Sequence, residues 1–365
     1  MAMVLFACGS ACPAGFVGSS ARSTVVRPRI GVPALFSMPE RPACGSDMAG
    51  ALVVGAVDEV TLAEVSGLAS SLTTPDLVWL MADGDSGVVW AVDAASGVPR
   101  VKVLLPGDVT DTEDLAVGPC PDLSGPCVFV ADTGDNEHER RSVSVIAFPE
   151  PTLTSAATAG LATVTLDAVW TIRLAFPDDE AVDVEAMVVL PDATAILLIE
   201  KTTDDAARIF AARSPWTIQT PQDDDDDNDL PRTLERTGTV TLPGNLLQAD
   251  DADDDADDTD DTAKAALKAR RITGADAHWS GQRLLLRTTT AILEFVDVDG
   301  RGFFDLAGRK PRQIMPAPAD EAQGEAIGYS SDGRRWLSIS EIKKSKADDG
   351  DRPVLRQFTC RSAAP

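Results

Sequence analysis

One alternation of polar and apolar positions recurs five times along the chain. A small or acidic cluster leads into a short apolar run at Glu64–Ser70, Asp111–Val117, Asp183–Val189, Ile272–His278 and Gln323–Tyr329. A turn signal follows each: Pro75-Asp76, Ser124-Gly125, Pro191-Asp192, Ser280-Gly281 and Asp332-Gly333. Next come the β-prone runs Leu77–Met81, Cys127–Ala131, Ala195–Ile199, Arg283–Arg287 and Arg335–Ile339. The third run in each repeat is Val88–Val92, Ser142–Phe148, Ala207–Ala212, Ala291–Val296 or Pro353–Thr359. A fourth is legible at Arg100–Leu105, Val169–Leu174 and Thr237–Leu242, with Gln313–Met315 a weaker match. Evenly spaced short strands with turns between them, four per repeat of roughly 45 residues, predict an all-β fold of the propeller type. Five blades are expected, with six as the alternative because the stretch 132–182 has room for another hairpin.

The last repeat ends at its third strand, whereas Ala51–Val57 precedes the first repeat as a spare strand. Pairing the two would close the ring and leave no open sheet edge. Antiparallel pairing would also bring Cys44 near Cys360, which predicts a disulfide locking the ring. A second, local disulfide is expected between Cys120 and Cys127, which bracket the turn-rich Pro-Asp-Leu-Ser-Gly-Pro. Such bonds belong to oxidising compartments. The propeller is therefore expected to span 51–361, after an N-terminal tether over 1–50 and before a tail at 362–365. Leu5-Phe6-Ala7-Cys8 looks like a bacterial lipobox with Cys8 as the lipidated residue; a frayed tail with a chance cysteine is the other reading. Both disulfides and the lipobox point to an exported protein, in the periplasm, at the cell surface or outside the cell. It is expected to be monomeric.

Charge narrows the partners. The chain has 365 residues and a formal net charge of −26, which disfavours nucleic acid and anionic membranes as partners. More than half of that charge lies between Gln222 and Asp261. The segment at about 222–265 is expected to be a disordered acidic insertion, because it has too little apolar area to offset its chain entropy.

If first strands line a central channel, their acids converge there. Glu64, Glu113, Asp114, Glu185, Asp276 and Glu325 are the expected channel residues. Carboxylates held close together repel and call for a proton or a cation. Calcium, which takes six to eight oxygens, is the candidate cofactor. The same acids could instead hydrogen-bond neighbouring backbone at a crowded axis. The loop Asp132-Thr-Gly-Asp135-Asn136 offers alternating oxygens and is a candidate metal loop through Asp132, Asp135 and Asn136; an ordinary turn is the alternative. The equivalent Asp83-Gly-Asp85 is read as a turn. Asp297–Asp305 resembles part of an EF-hand, but Arg301 and Arg309 stand at ligand positions. Gly84-Asp85-Ser86-Gly87 looks like a protease serine segment, yet both histidines follow it in the chain, so that chemistry fails.

Taken together, Ser66–Ala69, Asp111–Ala116, Asp132–Asn136, Phe148-Pro149-Glu150-Pro151, Asp183–Met187, Ile272–Asp276 and Gln323–Ile327 resemble, in order, the motifs of a bacterial family of exported β-propellers of uncharacterised activity. The resemblance covers about residues 60–360 and implies architecture more than chemistry. A more distant similarity is to calcium-dependent phytase-like and esterase-like propellers. It implies that Glu113, Glu185 and Glu325 hold Ca²⁺, which would position an ester or phosphoester and activate water. The expected function is binding of a small molecule or protein at the channel mouth with calcium, and the alternative is calcium-dependent hydrolysis.

Overall fold

A computed structural model describes residues 50–153, 161–166, 169–216, 230–243, 269–321, 323–342 and 344–359. The expected Cys44–Cys360 bond, Cys8 and most of the acidic insertion lie outside them. Over the described residues the chain is a five-bladed β-propeller. Blade one holds β2 (Val65–Ser70), β3 (Leu77–Ala82), β4 (Val88–Asp93) and β5 (Pro99–Leu104). Blade two holds β6 (Thr112–Pro119), β7 (Pro126–Asp132), β8 (Ser142–Pro149) and β10 (Trp170–Ala175). Blade three is β11 (Val184–Val189), β12 (Ala195–Glu200), β13 (Ala206–Arg213) and β15 (Glu235–Thr241). Blade four is β16 (Ile272–Ala277), β17 (Arg283–Thr288), β18 (Ala291–Val296) and β19 (Gln313–Pro316). Blade five is β20 (Gln323–Tyr329), β21 (Trp336–Glu341), β22 (Val354–Phe358) and β1 (Leu52–Ala56).

The ring closes through its two ends: β1 runs antiparallel to β22, with Leu52 opposite Gln357 and Ala56 opposite Val354. The long stretch after β8 does not build a sixth blade. It supplies β9 (Ala162–Thr165), which returns to blade one and pairs parallel with β5. The short β14 (Arg232–Thr233) covers the edge of β10 in the same parallel sense. Both additions blunt an outer edge that would otherwise present unpaired backbone groups.

Each seam between adjacent blades holds an apolar cluster. Second strands have blade neighbours on both faces and are buried along almost their whole length, as in Leu77–Ala82 and Ala195–Ile199. Valine, leucine, isoleucine and alanine fill these seams, joined by Trp79 and Phe148 between blades one and two and by Phe176 and Phe210 between two and three. The Phe-Pro-Glu-Pro segment has a definite task here. Glu150, buried at the end of β8, accepts hydrogen bonds from the Leu72 and Thr73 amides and from the Trp79 indole at 2.9 Å. It thereby ties blade two to blade one. Cys120 and Cys127 are disulfide-bonded across the β6–β7 turn.

Candidate functional site

Every first strand carries a β-bulge at the same place. The pairing register slips between Val65 and Gly67, Thr112 and Asp114, Val184 and Ala186, Ile272 and Gly274, and Gly324 and Ala326. The bulged residues are Ser66, Glu113, Glu185, Thr273 and Glu325, all buried. A bulge re-aims its side chain, and here five bulges form one ring around the axis. Two further rings follow from the same register. The residues leading into the first strands are Glu64, Asp111, Asp183, Arg271 and Gln323. Those ending the second strands are Asp83, Thr133, Lys201, Thr289 and Glu341. Eight of these fifteen positions are carboxylates, against Lys201 and Arg271.

The floor of this mouth is Asp114. Its equivalents are Gly67, Ala186, Gly274 and Ala326, so four small residues leave room for one carboxyl at the axis. A Cβ on Gly67 would overlap the Leu115 amide, which shows how closely the strands approach there. The Asp114 carboxyl accepts from the amides of Leu115 and Met187, both at 2.8 Å, and from Ala275 at 3.3 Å. One side chain therefore joins blades two, three and four. Asp276 lies beyond it, towards the opposite mouth, and accepts from the Tyr329 amide at 2.7 Å. Both acids thus take the backbone-bonding alternative. Burial raises the carboxyl of Asp114 well above the usual range and that of Asp276 to about 7.

Above the floor, Asp83 from blade one meets Asp111 and Glu113 from blade two. One carboxylate oxygen from each lies within 4.8 Å of the others, the one such grouping among the described residues. Gly134 covers it: a Cβ there would collide with Glu113 and Asp111 oxygens, so the methyl-free backbone is what leaves them room. Ser66 donates to Glu113 Oε2 at 3.5 Å, but Glu113 Oε1 is buried with no partner. Burial first, then the neighbouring acids, pushes Glu113 well above the usual carboxylate range; Asp83, whose residue surface is exposed, is raised to about 7 by partial desolvation and then by Asp111, and Asp111 shifts upwards too, chiefly through desolvation. Around the ring, Lys201 pairs with Glu185 and lies 3.8 Å from Asp183. Glu325, raised to about 8 mainly by burial, accepts from the Gln323 side-chain Nε2 at 2.5 Å. Glu64 stands exposed at the rim, and Glu341 is raised first by burial and then by Glu64.

The oxygens of the expected metal loop are engaged within the fold. Asp132 Oδ1 accepts from Asp111 N and from Arg140, both at 2.9 Å. Asp135 accepts from the amides of Glu139 and Arg140, while its own amide donates to Asp183. Asn136 Oδ1 faces Lys201 at 3.4 Å. This loop shapes the wall of the mouth and delivers Gly134, and the grouped carboxylates stand beside it. Asp83, read as a turn residue from the sequence, belongs to that group. At Asp297 and Asp299 the Arg309 guanidinium takes the place of a cation, at 2.9 Å from each. His278 is buried against Arg283 at 2.6 Å and lowered to about 3, so it stays neutral. Sequence reasoning missed Lys201 and Arg271; their only signal was an alignment of strand ends that requires the bulges to be known.

No family model matches this chain, and a search of curated proteins returns no match.

Proposed function

We propose that the protein is a binding propeller that holds a calcium ion at the mouth formed by Asp83, Asp111 and Glu113, and captures a small molecule or partner protein there. The observation that carries this reading is the buried, unpartnered Oε1 of Glu113 among converging carboxylates. Hard carboxylate oxygens suit calcium, and three side chains leave coordination positions for a ligand to complete. The Cys120–Cys127 bond supports an exported protein, since such bonds persist in oxidising compartments. A cation that binds only the folded state stabilises it by about 2.7 kcal/mol at a hundredfold excess over its dissociation constant. Calcium is therefore expected to raise the melting temperature by several degrees. Glu113→Gln should abolish the rise, and Gly134→Ala should weaken it without changing any charge. No rise in the wild type, or an equal rise in Glu113→Gln, would sink the reading.

A second reading, calcium-dependent hydrolysis of an ester or phosphoester, is favoured by one observation. Three grouped carboxylates leave coordination positions on the proposed cation for both a substrate oxygen and a water to be activated. Turnover of chromogenic esters or phosphoesters that requires calcium and is lost in Asp83→Asn would establish it.

A further inference from the structure

The three rings define five equivalent niches, each built from the end of one blade's second strand and the lead-in and bulge of the next. Between blades one and two the niche is Asp83, Asp111 and Glu113. Between blades five and one it is Glu341, Glu64 and Ser66. Between blades three and four the same positions are Lys201, Arg271 and Thr273, so the niche has the opposite charge. It opens as a small pocket lined by these three with Glu185, Thr289 and Gln323.

Arg271 is half-buried in that pocket, yet its guanidinium makes no hydrogen bond or ion pair among the described residues. Other guanidiniums of comparable burial are satisfied: Arg140 by Asp132, Arg208 by Glu200, Arg309 by Asp297. An arginine fork left open in a mouth rich in carboxylates is a donor set awaiting an acceptor. Lys201 is already met by Glu185, so the niche has one surplus positive charge, that of Arg271. One surplus charge matches a monoanionic group and leaves a dianion partly uncompensated.

We propose that the niche between blades three and four, with Arg271 as its anchor and Lys201 beside it, is a subsite for a carboxylate group of the ligand. The proposal rests on reading this mouth as the binding face, and gives the ligand one carboxylate arm in addition to whatever oxygen completes the cation's shell. Acetate and inorganic phosphate serve as probes, titrated calorimetrically into the full-length chain in calcium-free buffer. Acetate is expected to bind at millimolar concentration, and Arg271→Gln to weaken it at least tenfold. Arg271→Lys should recover part of the loss. Calcium titration of Arg271→Gln should match the wild type, which reports that the mouth is still folded. No acetate binding, equal binding in Arg271→Gln, or phosphate bound as tightly as acetate would overturn the proposal. Because the anion titration contains no calcium, its failure is separable from failure of the cation site, which the calcium titration reads on its own.

Discussion

Asp114→Ala is expected to cost the propeller about 3–5 kcal/mol, since each buried amide left without an acceptor costs on the order of 1–3 kcal/mol. The substitution orphans the amides of Leu115, Met187 and Ala275, which belong to three different blades. It also opens a void where strands pack too closely to relax, as the backbone contact at Gly67 shows. Set against a typical total of about 5–15 kcal/mol, this is a large share of the fold's stability. An asparagine side chain would keep one acceptor oxygen and turn its amide group towards the remaining donors, so Asp114→Asn should fall between alanine and the wild type. Urea unfolding at fixed pH measures both. The expected result is a lower midpoint in the order wild type, asparagine, alanine, and a midpoint for Asp114→Ala close to that of the wild type would show that the axis is held otherwise.

The contrast between Asp114 and Glu113 shows how far the sequence could be read. Both stand in one Thr-Glu-Asp-Leu-Ala segment, and the repeat pattern places both at a channel. The repeat itself was legible because strand period and turn residues are local properties. So was ring closure, since an unpaired third strand at one end and a spare strand at the other have one economical solution. The roles of the two acids were not legible. A bulge between Thr112 and Asp114 turns Glu113 towards the mouth and Asp114 into the axis, and bulges depend on the partner strand's register. Asp83 and Gly134 were hidden for a related reason: each acts on a residue of a different strand, Asp83 on the neighbouring blade and Gly134 on Asp111 and Glu113 across the loop. The stretch after β8 had the length for a hairpin, but whether it folds on itself or returns to β5 is decided by which edge is free.

The trapped protons at the mouth make stability fall as pH rises, and calcium should offset part of that fall. In the folded protein Asp83 and Asp276 are raised to about 7 and Glu325 to about 8, and Glu113 is held well above its ordinary value, whereas in the unfolded chain such groups ionise at about 4. Through this window the folded state binds more protons, so stability falls as pH rises. His278 works in the opposite sense, but only below about 6.5, where the unfolded imidazole takes a proton that the folded one refuses. The depressed carboxyls of Asp93, Asp305 and Asp332 act lower still. The groups facing Asp83 are Asp111, Lys201 and Glu341, and those facing Glu325 are Gln323, Glu341, Lys201 and Arg287. One ammonium shared among so many acids cannot ionise them all. In calcium-free buffer the melting temperature is therefore expected to drop from about pH 5 to about pH 8, with His278 offsetting part of the drop below about 6.5. Calcium replaces the protons it displaces, so its affinity rises with pH and the gap between the two melting curves should widen across the same window. Glu325 and Asp276, neither of them among the proposed ligands, keep a residual slope that calcium leaves in place. A calcium-free melting temperature that stays level, or a gap that stays constant, would mean that these carboxyls ionise freely and that the mouth has no need of a cation.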